Sequence, residues 1–180
     1  MATVEGIGGL SIGRLAEAVG MSKSGLFAHF GSKEELQLAT IAAARVFFDE
    51  QVIDPALQAP TGIDRLHALV ENYLKHIQDG VYPGGCFFAS VTPELDTHPG
   101  AVRDLALAFM TGWLGHMERA IRDAQAEGAI DPEEDAEQLV FEVEAAMMLA
   151  NALFVISPEP MPLERARRSV ARLLADAAPS

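Results

Sequence analysis

The sequence predicts an all-α fold, and three observations carry that prediction. Of the 180 residues, 49% are apolar with Ala and Leu abundant, while only 7% are aromatic. Between Gly/Pro breaks the apolar residues recur three or four apart, the period of a helix with one buried face. No segment alternates apolar and polar residues as a half-buried strand does, and there is no internal repeat or low-complexity tract. A chain of this length suits one or two small domains with a sizeable core.

In chain order, Ser11 caps a first clear helix whose inner face is Ile12, Leu15, Ala16 and Val19, and Gly20 supplies its left-handed stop. Ser22 caps a second short helix with Leu26, Phe27 and Phe30 inward. Gly31 ends it, and Ser32 with Glu35 forms a capping box for the next. That helix carries Leu36, Ala39, Ala43, Val46, Phe47 and Ile53 and runs to about Val52, where Asp54-Pro55 and Ala59-Pro60-Thr61-Gly62 break it. Thr61 caps a helix burying Ile63, Leu66, Val70, Tyr73 and Ile77, followed by a loop over Gly80 and Tyr82–Gly85.

A short helix is expected from Cys86 to about Val91, then a break over Thr92–Gly100, with Pro99 as a first-turn residue of a long helix ending near Glu127. Its stripe is Val102, Leu105, Phe109, Trp113, Met117, Ala120, Ile121 and Ala124. Asp131-Pro132-Glu133-Glu134 opens another helix to about Ile156. From Ala145 to Ile156 only Asn151 is polar, so that helix needs cover on several sides, yet this apolar run is too short to cross a bilayer. The last helix, Leu163 to about Ala177, turns Leu163, Ala166, Val170, Leu173 and Leu174 inward and Arg165, Arg167, Arg168 and Arg172 outward.

Two short helices joined by a tight Gly-containing turn form the helix-turn-helix signature, whose second helix enters the major groove. Ser11–Leu36 closely resembles the DNA-binding end of TetR-type transcriptional regulators. The matching positions are Ser11, Leu15, Ala16, Ala18, Gly20, Met21, Ser22, Leu26, Phe27, His29, Phe30, Lys33 and Leu36. The resemblance implies a helix-turn-helix DNA-binding end at 1–40 and a helical effector-binding and dimerisation domain at 41–180.

It also implies the contacts. Lys23, Ser24 and Gly25 face base edges, and Lys23 suits guanine O6 or N7. The helix start at Ser22 directs free N–H groups at phosphate. His29 and Lys33 clamp phosphates, and a cation at Lys33 opposes the helix dipole, which favours a DNA role over a structural one. The family's usual Tyr is Phe27 here, so a hydroxyl that reaches phosphate is missing. The family's longer first helix is expected to be absent, since only ten residues precede Ser11 and Gly6, Gly8 and Gly9 disfavour a helix. On that reading either translation begins further upstream or the domain is degraded, and these residues alone bind DNA poorly.

For the larger part, Tyr73, Cys86, Phe87, Phe109, Trp113, His116, Met117, Met147, Asn151 and Phe154 are expected to converge between the middle helices. An apolar cavity with a few polar groups is the usual small-molecule site, so a small apolar or aromatic effector is expected. The resemblance further implies a homodimer through helices 138–156 and 163–177, gripping a palindromic operator. Acids of the first of these helices would pair with arginines of the last across the bundle. Cys86 sits at a helix start, where the dipole lowers a thiol pKa and permits redox sensing, though a buried helix-start residue is the commoner case.

The net charge of −13 argues against a general nucleic-acid binder, but it is unevenly placed. Arg14, Lys23 and Lys33 face only Glu17 over 10–33, whereas 131–144 carries seven acids and no base. Such a body orients a slightly positive tip toward DNA. A single cysteine and the lack of a signal segment fit a cytoplasmic protein without disulfides or membrane anchor. His29, His67, His76, His98 and His116 are scattered, His67 and Glu71 read as a surface pair, and no phosphate loop or nucleophile elbow occurs. No catalytic residue, metal site or cofactor is expected. The remaining alternative is a helical small-molecule-binding dimer that has lost DNA binding.

Overall fold

The computed structural model describes residues 1–95 and 99–179, and among them every regular element is helical. His98 and part of the expected Thr92–Gly100 break lie outside the described residues. The N-terminal end comprises α1 (Ala2–Glu5), α2 (Ile12–Val19) and α3 (Lys23–Phe30), and α4 (Lys33–Phe48) leads from it into the body. A small core of Ile12, Ala16, Leu26 and Leu36, flanked by Leu15 and Phe30, holds this end together.

The caps are as the sequence indicates. Ser11, Ser22 and Ser32 Oγ accept from the backbone N–H of Arg14, Gly25 and Glu35, and Gly20 closes α2 at φ 66°. Two inward assignments are corrected. Val19 is exposed, and Phe27 is 55% exposed because Leu26 and Phe30, one turn apart, already fill the inner face of α3.

The ten residues before Ser11 do hold one helical turn, Ala2–Glu5, which ends at Gly6 (φ 78°) and is shorter than the long first helix whose absence was expected. The glycines after it serve a close approach. Glu94 from the body accepts hydrogen bonds from Ile7 N–H and Gly8 N–H, both at 2.7 Å, and a Cβ on Gly8 would lie 2.5 Å from Glu94 Oε1.

In α4 the buried positions are Leu36, Ile41, Ala44 and Phe48, whereas Ala39, Ala43 and Val46 are exposed, correcting the expected stripe. The helix does not stop near Val52. It widens into a π-helical turn (Asp49–Ile53) and continues as α5 (Asp54–Ala56), with Val52, Ile53 and Ala56 buried. The Val52 carbonyl accepts from Asn72 Nδ2 at 3.0 Å. Proline removes an N–H and clashes with the preceding turn, and a wider turn accommodates both.

The body is built from α6 (Gly62–Gln78), α7 (Phe87–Leu95), α8 (Ala101–Ala126), α9 (Ala136–Ile156) and α10 (Met161–Asp176). Thr61 caps α6, whose start lies against α8 so closely that a Cβ on Gly62 would strike the Ala124 and Ala120 backbone. Arg65 pairs with Asp123 at the same crossing. Helix α7 runs through Pro93 to Leu95, beyond the expected end. An interior proline costs about 3 kcal/mol, while burying Val91 and Leu95 returns about 1.5–3 kcal/mol each.

Gly100 is the N-cap of α8, so Pro99 precedes the helix instead of lying in its first turn; the stripe is as expected except that Ala106 is buried where Leu105 is half-buried. Asp135, not Asp131, caps α9 by accepting from Glu137 and Gln138 N–H. Helix α9 is 21 residues and is long and apolar enough to cross a membrane by length and composition alone, whereas the apolar run from Ala145 to Ile156 read from the sequence is too short. One side of it is packed into the core and another against α10. Within the chain, Arg167 of α10 pairs with Glu71 of α6 at 2.9 Å.

Candidate DNA-binding surface and ligand cleft

The outer face of α3 is set by short-range chemistry. Gly20 reverses the chain, Met21 N–H donates to Ala16 O at 3.0 Å, and the Ser22 cap fixes the first turn of α3. Ser22, Lys23, Ser24, Gly25, Phe27 and His29 are all exposed. Lys23, Ser24, Phe27 and Ala28 line one shallow open depression, and the Lys23 stem lies beside Gly13 of α2, 3.7 Å from where its Cβ would be. This surface offers an ammonium, a hydroxyl and an exposed ring, which suit guanine, either base edge and the thymine methyl. His29 stands edge-on to Phe30 at 4.6 Å. Lys33 Nζ donates to Gly8 O at 2.5 Å, and Arg14 pairs with Glu5, so both cations also tie the N-terminal loop down.

Most of the candidate ligand residues lie in the main core. Tyr73, Cys86, Phe87, Phe109, Trp113, Met117, Met147 and Asn151 are buried there, Phe154 is half-buried against it, and His116 is half-buried. Tyr73 and Trp113 stack at 5.9 Å, and Phe48 meets Tyr73, Phe109 and Trp113 edge-on. Asn151 Oδ1 accepts from Cys86 N–H at 2.9 Å, which explains the single polar residue in the apolar half of α9. His116 Nδ1 is 3.0 Å from Arg119 on its own helix, and burial with that guanidinium lowers its pKa.

Burial pushes the Cys86 thiol up to about 11, against the pull of the α7 N–H groups, so the dipole does not activate it. Burial likewise lowers the pKa of His76, whose Nδ1 has no hydrogen-bond partner. No group of three His, Cys, Asp or Glu side chains able to hold a metal occurs among the described residues.

Two open apolar cavities flank this core. One, of about 610 Å³, lies where the DNA-binding end meets the body, between Leu15, Phe30 and Leu36 on one side and Phe47, Tyr82 and Phe87 on the other. The second, of about 620 Å³, is a cleft between α8 and α9 bordered by Leu114, Val140, Phe141, Met148 and the carboxylate of Glu144.

The match to family models decides what this arrangement is. Residues 62–170 match the tetracyclin repressor-like C-terminal domain, and residues 2–40 match the bacterial regulatory proteins of the tetR family. The chain belongs to the TetR family. It is a transcriptional regulator with a helix-turn-helix DNA-binding end and a helical C-terminal part.

A TetR transcriptional regulator from Chloroflexus aurantiacus superposes with a TM-score of 0.84 at 26% identity, covering 97% of this chain and 86% of that one. SCO4454 of Streptomyces coelicolor, also a TetR-family regulator, gives 0.82 at 20% identity over 99% and 90%. AibR, solved with isovaleryl coenzyme A and operator DNA, gives 0.75 at 22% identity over 96% and 91%. No curated protein sequence matches the chain significantly.

Within this TetR-family body, sequence reasoning missed Phe48, the hub of the aromatic cluster, because its helix was assigned a stripe one position off. It also missed Glu144. The signal was present, since Glu137, Val140, Glu144 and Met148 recur three or four apart and share one face of α9.

Proposed function

We propose that this protein is a dimeric, ligand-responsive transcriptional repressor of the cytoplasm that binds a palindromic operator through α3. Residues 1–40 are the DNA-reading unit and 41–180 the effector and dimerisation unit. The observation that carries this reading is the exposed Ser22–Gly25 face of α3, held outward by the Ser22 cap and by burial of Leu26. Lys23 and Ser24 read bases, while the α3 start, His29 and the remaining donors of Lys33 bind phosphate.

A second copy is called for by α9 and α10. Phe141 (69% exposed), Leu149, Leu153 and Ile156 (80% exposed) form an apolar stripe that stays uncovered among the described residues. Stripes of this kind on a soluble helix mark an association surface. Pairing across helices 138–156 and 163–177 sets the spacing of two α3 helices, which two half-sites on one duplex require.

The effector is a small molecule with a largely apolar or aromatic body, bound beside the Tyr73–Trp113 stack. Its binding favours one spacing of the α3 pair over another, and so changes operator affinity. Two links connect the parts. Helix α4 is continuous from Leu36 in the small core to Phe48 in the large one, and Glu94 of α7 holds the loop beside α2.

The test is selection of DNA sites from a random duplex library, followed by light scattering of the complex. A two-fold symmetric site bound by a dimer is expected, and Lys23→Ala should weaken it by about 1–3 kcal/mol while relaxing one base position. With so few free cations the salt dependence should be shallow. Recovery of no preferred site, with a dimer intact, would instead support a small-molecule-binding protein without a DNA role, a reading favoured by the single-turn α1.

A further inference from the structure

The α8–α9 cleft has apolar walls and one carboxylate set into them. Glu144 is half-buried, and its Oε2 accepts from Trp113 Nε1 at 3.0 Å. Among the described residues no Lys, Arg or His pairs with it. The other two acids of the cleft differ. Glu118 binds Arg122 at 2.6 Å, and Glu137 lies 4.0 Å from the same guanidinium.

Glu144 is therefore a carboxylate with several lone pairs, one hydrogen bond and no counter-ion, facing a space of about 620 Å³. Burying a charge without a partner is unfavourable, and a cation supplied from outside removes the deficit. Burial raises the Glu144 pKa while the Trp113 N–H lowers it, and a neighbouring cation would restore the charged form further.

We propose that this cleft binds an amphipathic organic cation, with its ammonium or amidinium group against Glu144 and its apolar body along Leu114, Val140 and Met148. The proposal rests on the effector reading above and names the chemical class of that effector. Met148 borders the cleft and its Sδ lies 3.9 Å from the hydroxyl of Tyr73, which stacks on Trp113, so this unbranched side chain stands between the cleft and the Tyr73 end of the stack. Its movement would bring a bound cation within reach of the aromatic faces, which attract positive charge. Three carboxylates against one arginine disfavour an anionic ligand in the same place.

Trp113 is the only tryptophan of the chain and touches Glu144 directly, so its fluorescence reports on the cleft. The experiment titrates the full chain with decylammonium, decanol and decanoate, each below its micellar concentration. Decylammonium is expected to bind about ten-fold or more tighter than decanol, with decanoate weakest. Glu144→Gln should bring decylammonium to within about two- or three-fold of decanol. Decanoate binding as well as the cation, no binding by any probe, or an unchanged cation affinity in Glu144→Gln overturns the proposal.

If circular dichroism shows Glu144→Gln unfolded, the charge series on the unaltered protein decides alone. Operator affinity separates the two readings. Glu144-dependent binding of the cation that leaves operator affinity unchanged supports the site and overturns its regulatory role. An anionic or neutral ligand that binds and releases DNA does the reverse.

Discussion

The two ends of the chain hold their shapes by different means. The DNA-binding end has a core of its own only in Ile12, Ala16, Leu26 and Leu36, its Ala2, Ile7 and Leu10 being packed into the body's core, and its turns rely on three serine caps and Gly20. The body buries a continuous core in which Phe48, Phe88, Phe109, Trp113 and Tyr73 touch through their rings. A small core with many local hydrogen bonds opens at a lower free energy than a large one, so the DNA-binding end should respond to changes that leave the body intact. That asymmetry is useful in a regulator, where one part must shift while the other keeps a site.

The largest effect should come from Phe48→Ala. Removing the hub of the aromatic cluster is expected to lower global stability by about 3–5 kcal/mol in urea unfolding followed by Trp113 fluorescence. Leu26→Ala should subtract about 2–5 kcal/mol from the small core, seen as fast amide exchange across α2 and α3 with exchange in α8 and α9 unchanged. Global unfolding in Leu26→Ala would show that the two cores are one cooperative unit.

A smaller effect is tied to pH. The folded Cys86 thiol is pushed from an ordinary 9.0 up to about 11 by burial. The folded state therefore keeps its proton where the unfolded state loses it, so the contribution is full below about pH 9 and lost on rising through about 11. Relative to Cys86→Ala, the wild type should lose about 2–3 kcal/mol between these limits, and a flat difference would place the thiol in contact with water. The smallest is Ser22→Ala, expected to cost about 1 kcal/mol of α3 stability through its lost cap, with the body's unfolding midpoint unmoved.

The local features of the DNA-binding end were legible because their causes lie within four residues. Caps at Ser11, Ser22 and Ser32 and the stop at Gly20 need only the adjacent backbone, and the structure has all four. The inward assignment of Phe27 failed because hydrophobicity alone does not say which of two neighbouring aromatic residues a small core has room for. Gly6 and Gly8 read as helix breakers, and only the fold shows Glu94, far along the chain, meeting the backbone there. The run of α4 through the π turn past Asp54-Pro55 was equally hidden, since burial of Val52, Ile53 and Ala56 by distant helices outweighs the break.

Periodicity and capping residues by themselves determined the all-α class and the helix-turn-helix, and the resemblance of Ser11–Leu36 to TetR-type regulators pointed to the family, because each is a local pattern held in register along one stretch of covalent chain. Only the tertiary structure decided where Glu144 stands, that Trp113 is its one hydrogen-bond partner among the described residues, and that Asn151 serves Cys86 rather than an open space. Those facts depend on how α7, α8 and α9 cross, and helix crossings are fixed by side-chain packing between residues far apart in sequence.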